Sequence, residues 1–247
     1  MKKNVTAVKA AARLILFLFG ITLLCLLFGL PVLFDGRTKQ TVRLENTRVK
    51  QTLVIDPGHG GEDGGAEANG VVEKNVNLAI SAYLREFMKI TDTETVMTRT
   101  DDRLLYQTGE TARKKYYDIQ NRIALAKSFP DAFLVSIHQN KFGISKYKGL
   151  QVYYSPNHDD SARLAALIQQ NARSFLDESN KREIKKANSR IRLLNTVDMP
   201  AVLVECGFLS NPEEAAKLAD EAYQKKTAFV LFVSILQFIE ENGEWSA

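Results

Sequence analysis

Residues 52–65 read Thr-Leu-Val-Ile-Asp-Pro-Gly-His-Gly-Gly-Glu-Asp-Gly-Gly, an apolar run that passes abruptly into a glycine-rich turn carrying His59. A continuous apolar stretch such as Thr52–Ile55 suits a strand buried on both faces of a sheet. Thr95–Thr98, Ala132–Ile137, Leu150–Tyr154 and Ala201–Val204 share that character. Between them, Asn75–Lys89, Ile119–Lys127, Ser161–Leu176, Glu213–Ala219 and Ala222–Glu240 place apolar residues at helical spacing. Strand–helix alternation predicts one α/β domain with a mostly parallel sheet and helices on both faces. Ligands in such sheets bind beyond the carboxyl ends of the strands. The polar residues at those ends are therefore the ones to weigh.

The 247 residues are 45% hydrophobic and 25% charged, which excludes a collagenous or wholly disordered chain, and two cysteines exclude a disulfide scaffold. The net charge of +4 is local: Lys2, Lys3, Lys9 and Arg13 supply it before residue 14. The rest is neutral and lacks the basic footprint of a nucleic-acid binder. Residues 14–34 (LILFLFGITLLCLLFGLPVLF) form 21 uncharged residues. At about 1.5 Å per residue they span roughly 30 Å, a bilayer core, so an N-terminal transmembrane helix is expected. The preceding positive charges stay cytoplasmic, which sends the body outward. A cleaved signal peptide is the rival reading, but its apolar region is shorter and ends in a small-residue cleavage site, which is missing here. We divide the chain into a membrane anchor or uncleaved signal (1–35), a polar linker (36–50) and a folded domain (51–242).

Four strand ends or helix starts carry polar residues. His59 sits among Gly58, Gly60, Gly61, Gly64 and Gly65, which let the backbone turn sharply. A phosphate cradle is the other use of such a loop, but the G-K-[ST] of a P-loop is lacking. Glu73 precedes the helix from Asn75; alone it reads as a helix-dipole partner. His138 ends the strand AFLVSIHQN, and Glu205 ends PAVLVE, where burial raises a carboxyl toward the pKa a general base needs. Two imidazoles and a carboxylate are a common catalytic zinc set with an open fourth position. His59, Glu73 and His138 are thus candidate metal ligands, and Glu205 the catalytic proton carrier.

At these residues the chain resembles a known family. IDPGHGGEDGG, EKNVNL, SIHQN and PAVLVECGFLSN are similar, in order, to the motifs of zinc-dependent N-acetylmuramoyl-L-alanine amidases of the third amidase type. The resemblance covers about residues 51–240. It implies a twisted, mostly parallel sheet, one Zn2+ held by His59, Glu73 and His138, and Glu205 as catalytic acid/base. The implied reaction is cleavage of peptidoglycan between the lactyl group of N-acetylmuramic acid and L-alanine of the stem peptide. The short architecture most resembles germination-specific amidases of endospore formers. That implies cortex maturation through muramic-δ-lactam, an extracytoplasmic location in the forespore intermembrane space, and an activating lipoprotein or a deacetylase as partner. Gln139 and Cys206 depart from the family pattern without removing a ligand. Only Lys141–Lys148 separates the second histidine motif from the next strand, leaving no room for an inhibitory helix.

Alternatives of other kinds are a vegetative cell-wall amidase, a zinc peptidase on a similar sheet, and a membrane-tethered wall-binding module without catalysis. Asp56 is weighed as a partner of a ligand imidazole against a structural turn role. Cys206 reads as inert packing and His158 as surface. Residues 181–192 (KREIKKANSRIR) hold six basic residues and one acid, either a solvated loop or a contact for an anionic polymer, a membrane or a partner.

Overall fold

The computed structural model describes residues 51–106 and 111–244. The expected anchor (1–35, with its apolar segment 14–34) and the whole linker (36–50) lie outside the described residues. Among the described residues no helix is long and apolar enough to cross a membrane. The chain enters through strand β1 (Thr52–Pro57), a small hairpin of β2 (Glu67–Ala68) and β3 (Val71–Val72), and helix α1 (Glu73–Met88). β4 (Glu94–Met97), α2 (Lys114–Lys127), β5 (Ala132–Asn140), β6 (Gln151–Tyr154) and α3 (Asp160–Phe175) follow. β7 (Lys185–Lys186), α4 (Arg192–Thr196), β8 (Ala201–Phe208), α5 (Pro212–Ala219) and α6 (Glu221–Glu244) complete the fold.

Six strands form one sheet in the order β4-β1-β5-β8-β6-β7. Every adjacent pair is parallel except β6 with β8, which run antiparallel with Gln151 opposite Glu205. The expected mostly parallel sheet is observed. Its three central strands are apolar because helices cover them from both sides.

Strand side chains alternate between faces, and here the two faces are covered unequally. Leu53, Ile55, Phe133, Val135, Ile137, Val202 and Val204 point to a large core with Ile80 and Leu84 of α1, Leu164 and Ile168 of α3, and Leu231, Ile235 and Phe238 of α6. Val54, Leu134 and Leu203 point to the smaller second core, closed by Ile123 and Ala126 of α2 and by Leu193 and Leu194 of the short α4. Beyond α2 and α4 the carboxyl end of this second face turns polar. Continuing the alternation, Asp56, Ser136, His138 and Glu205 come up on it. The cleft described below lies there, roofed by the loop before α4.

Candidate metal centre

The glycine loop and the start of α1 are built as one unit. The N-cap position, Val72, has no capping side chain. The first helical N–H groups bond instead to backbone of the loop, Glu73 N to Ala66 O (2.9 Å) and Lys74 N to Gly64 O (3.1 Å). This fixes Glu73 opposite His59. Its carboxylate turns inward and is only 3% exposed. Oε2 accepts from Ala66 N at 2.6 Å, and Oε1 accepts from Gln139 N at 3.0 Å. Asn77 Nδ2, one helical turn on, donates to Oε1 at 3.3 Å.

Oε1 of Glu73 also lies 2.9 Å from His138 Nδ1 and 3.3 Å from His59 Nε2. One ligand atom from each of His59, Glu73 and His138 falls within 4.8 Å of the others, a group that could hold a metal ion. Two glycines permit the approach. A Cβ on Gly58 would sit 2.2 Å from the His138 ring, and one on Gly65 would sit 2.5 Å from Glu73 Oε2. Gly65 also has φ +70°, a region L side chains rarely adopt.

His59 is itself a non-glycine residue with φ 61°, a conformation that persists only where its surroundings enforce it. Two buried guanidinium groups do so. Arg122 donates to Pro57 O and to His59 O, each at 2.7 Å. Arg99 donates from Nε to Pro57 O and from Nη2 to Gly58 O, each at 2.9 Å. Three successive carbonyls of the turn are thereby clamped. Asp56 anchors the clamp: its Oδ1 accepts from Arg122 Nη1 and Thr98 Oγ1, each at 2.6 Å, and its Oδ2 from Ser136 Oγ at 2.7 Å. Asp118 takes Arg122 Nε at 2.9 Å. Asp56 therefore serves the backbone turn and touches neither imidazole.

The partner of His59 is Asp63, whose Oδ2 lies 2.9 Å from Nδ1. Sequence reasoning missed it, although it lies four residues after His59 in the quoted motif. It also missed Arg99 and Arg122. An arginine inside the predicted helix Ile119–Lys127 was a signal for Arg122; Arg99 follows an edge strand and carried none.

The electrostatics follow from this packing. Burial opposes ionisation of Glu73, but hydrogen bonds from His138 and His59 outweigh it and hold the carboxyl far below the usual range. Burial also opposes charge on His59. Glu73 and then Asp63 reverse that effect and raise its pKa to about 9. Without metal, a proton on His59 thus supplies the positive charge that the carboxylates demand.

Glu205 pairs with His138 across β5 and β8. It is half-buried, and its Oε2 is enclosed without a hydrogen-bond partner. Burial pushes its carboxyl up to about 7, with the His138 imidazole pulling against this and Glu73 reinforcing it. Cys206, one residue on, faces the large core instead, and burial drives its thiol pKa strongly upward. That is inert packing, as expected. His158 caps a turn at the surface, its Nδ1 accepting from Asp160 N at 3.2 Å. Between β5 and β6 the chain forms a loop with no helix.

Comparison with known proteins identifies the family. Residues 53–237 match the N-acetylmuramoyl-L-alanine amidase family. The germination-specific N-acetylmuramoyl-L-alanine amidase of Bacillus subtilis is 34% identical over 194 residues, covering 78% of this chain and 81% of that protein. The CwlD amidase of Clostridioides difficile, solved in complex with the GerS lipoprotein, superposes with a TM-score of 0.73 at 37% identity, over 76% of this chain and 98% of that one. An N-acetylmuramoyl-L-alanine amidase of Clostridium difficile 630 gives a TM-score of 0.66 at 33% identity, over 77% and 97% of the two chains. Motifs in order, an α/β sheet that gathers them at one edge, and a match spanning nearly all of the domain make this chain a member of the N-acetylmuramoyl-L-alanine amidase family, a peptidoglycan hydrolase.

Proposed function

We propose that the chain is a zinc amidase of the spore cortex, held at the outer face of a membrane by residues 14–34. It would cut between the lactyl group of N-acetylmuramic acid and L-alanine, the first step toward muramic-δ-lactam. In this reading His59, Glu73 and His138 hold one Zn2+ and Glu205 is the acid/base; residues 51–242 form the catalytic domain. The observation that carries it is the convergence of those three donor groups within 4.8 Å, beside a carboxyl whose Oε2 has no partner. The donor set fits zinc: two imidazoles and one carboxylate, with glycines where any Cβ would block them. The relationship to a germination-specific amidase supports the cortex setting. The GerS-bound relative supports a lipoprotein partner, with a deacetylase acting on the product.

Zinc bound there supplies the Lewis acidity that brings the ionisation of water near neutral pH and polarises a carbonyl. The chain's own residues do the rest. The Arg99–Arg122 clamp fixes the turn that carries His59. Asp63 holds the Nδ1 of His59 and directs Nε2 inward, the arrangement that orients a ligand imidazole. Glu205, near neutrality in pKa, accepts a proton from the attacking water at its carboxylate. It then gives that proton to the alanine nitrogen, which must depart as an amine.

The test is release of N-terminal alanine from purified peptidoglycan by the full-length chain loaded with zinc, with chelated protein and Glu205→Gln as controls. Release that needs both metal and Glu205 is expected. A protein that binds zinc stoichiometrically yet frees alanine equally well as Glu205→Gln would refute the assignment of Glu205.

A further inference from the structure

Residues 181–192 form the basic run that the reaction above leaves unused, and the structure divides it. Lys185 and Lys186 form the exposed edge strand β7. Arg190 and Arg192 instead line a cleft of about 350 Å3 that His59 and His138 also line.

The other charges of this cleft are already balanced. Arg122 is shared between Asp56 and Asp118, with buried Arg99 beside them, and Lys115 Nζ lies 2.8 Å from Asp63. Arg190 and Arg192 make no ion pair among the described residues, yet Arg192 is held in place by neutral groups. Its guanidinium lies 4.7 Å over the Tyr116 ring. With the Gln120 amide assigned so that its oxygen, not its NH2, faces the guanidinium, that oxygen accepts from Nη2 at 2.9 Å and from Nε at 3.2 Å. Stacking and an amide fix the direction of the fork and leave its charge unspent. Two uncompensated arginines in one cleft, with the fork of Arg192 preorganised, suit an anion, and the planar fork suits a carboxylate.

On the amidase reading, on which this step rests, the substrate offers carboxylates on one side only. The lactyl amide and the glycan are neutral, whereas the stem peptide carries free carboxyl groups. We infer that Arg190 and Arg192 form a carboxylate subsite that receives the stem peptide and so sets which side of the scissile amide lies in this cleft. Rim arginines that capture the leaving fragment would add binding energy without touching the reacting atoms; they are positioning residues.

The experiment uses the full-length zinc-loaded chain and two muramoyl-peptides, one with free stem carboxylates and one with the same carboxylates converted to amides. For the unaltered protein, KM should be about 10-fold higher on the amidated substrate, the size of a charge-assisted hydrogen bond. The double variant R190Q/R192Q should show the higher KM on both substrates, losing the discrimination. Arg192→Lys, which keeps charge but loses the fork, should fall between. Both positions are exposed, so unchanged circular dichroism and zinc content are expected and would be checked. Equal KM on both substrates for the unaltered protein would overturn the subsite while leaving the amidase intact. So would a double variant that still discriminates. Failure of the unaltered protein to free alanine from either substrate would instead overturn the amidase reading beneath it.

Discussion

A metal ion entering the His59–Glu73–His138 group must displace the proton on His59, and the structure fixes how strongly. Ordinary histidine titrates near 6.5 and is mostly neutral at pH 7.5. In the metal-free protein Glu73 and Asp63 hold His59 up to about 9 against the cost of burial. At pH 7 the free imidazole is then about one part in 100, so apparent zinc affinity lies about 100-fold below its value above pH 9, about 2.7 kcal/mol. The sign is definite: affinity rises with pH through the window from 6.5 to 9, by about a decade per unit, and levels off above it.

The assay is competition with a chelator of known affinity at half-unit steps from pH 6.5 to 9. It would be paired with calorimetry in buffers of different ionisation enthalpy, which counts protons released. About one proton per zinc is expected at pH 7.5. Asp63→Asn removes one of the two carboxylates raising the pKa. It should reduce the proton release at pH 7.5, and it should weaken binding about 10–100-fold at pH 9, where protons no longer compete. A chelator-corrected affinity that is flat between pH 7 and 8.5, with no proton released, would show that His59 is neutral in the metal-free protein and would refute the reasoning.

Four further outcomes are expected. Glu205→Gln should retain zinc while turnover falls by about 10²–10⁴; burial raises the Glu205 carboxyl to about 7 in the metal-free site and a bound dication lowers it from there, so in the unaltered enzyme the acid limb of the kcat/KM profile should centre at or below about 7, and a limb unchanged in residual Glu205→Gln activity would assign it elsewhere. Arg122→Met strands Asp56 and Asp118 in the interior and releases the carbonyls of Pro57 and His59; urea unfolding should show a loss of about 3–5 kcal/mol, and a loss under 1 would mean the clamp is not under charge strain. Gly58→Ala forces a methyl group to within 2.2 Å of the His138 ring, so zinc content after dialysis should collapse, and full stoichiometry would contradict the packing. Cys206→Ser should leave turnover within about twofold, since the thiol faces the core; loss of activity with zinc retained would reopen a nucleophilic role.

The sheet was legible because its central strands carry their burial in plain view. TLVI, AFLVSI and AVLV are apolar without interruption, a pattern only two-sided cover explains. The elements that escaped notice lack any such pattern. β2, β3 and β7 have two residues each, β7 being Lys185–Lys186, and α4 has five. They exist through backbone pairing and tertiary support, which composition does not record. The four residues at the strand ends and helix start were legible for a different reason: histidine is scarce here, and topology forces parallel strand ends together. Asp63, Arg99 and Arg122 were not, because the carbonyls that Arg99 and Arg122 bind and the ring nitrogen that Asp63 holds are defined only once His59 takes its positive φ.

Backbone register also separates Glu205 from its neighbour Cys206, read in sequence as proton carrier and as inert packing. Both follow an apolar strand, both end up beside the second histidine motif, and both are chemically able to attack or to move a proton. Which one shares the face of His138 depends on register alone. Pairing of His138 with Glu205, rather than with Cys206, puts the carboxylate on the face of Asp56, Ser136 and His138 and the thiol among Val204, Leu209 and Leu218 of the large core. A one-residue slip would exchange them and also turn Leu203 out of the second core. Apolar packing on both faces of β8, from Ala201 to Val204, therefore fixes which of the two side chains lies beside the imidazoles: residues outside the donor group decide which residue joins it.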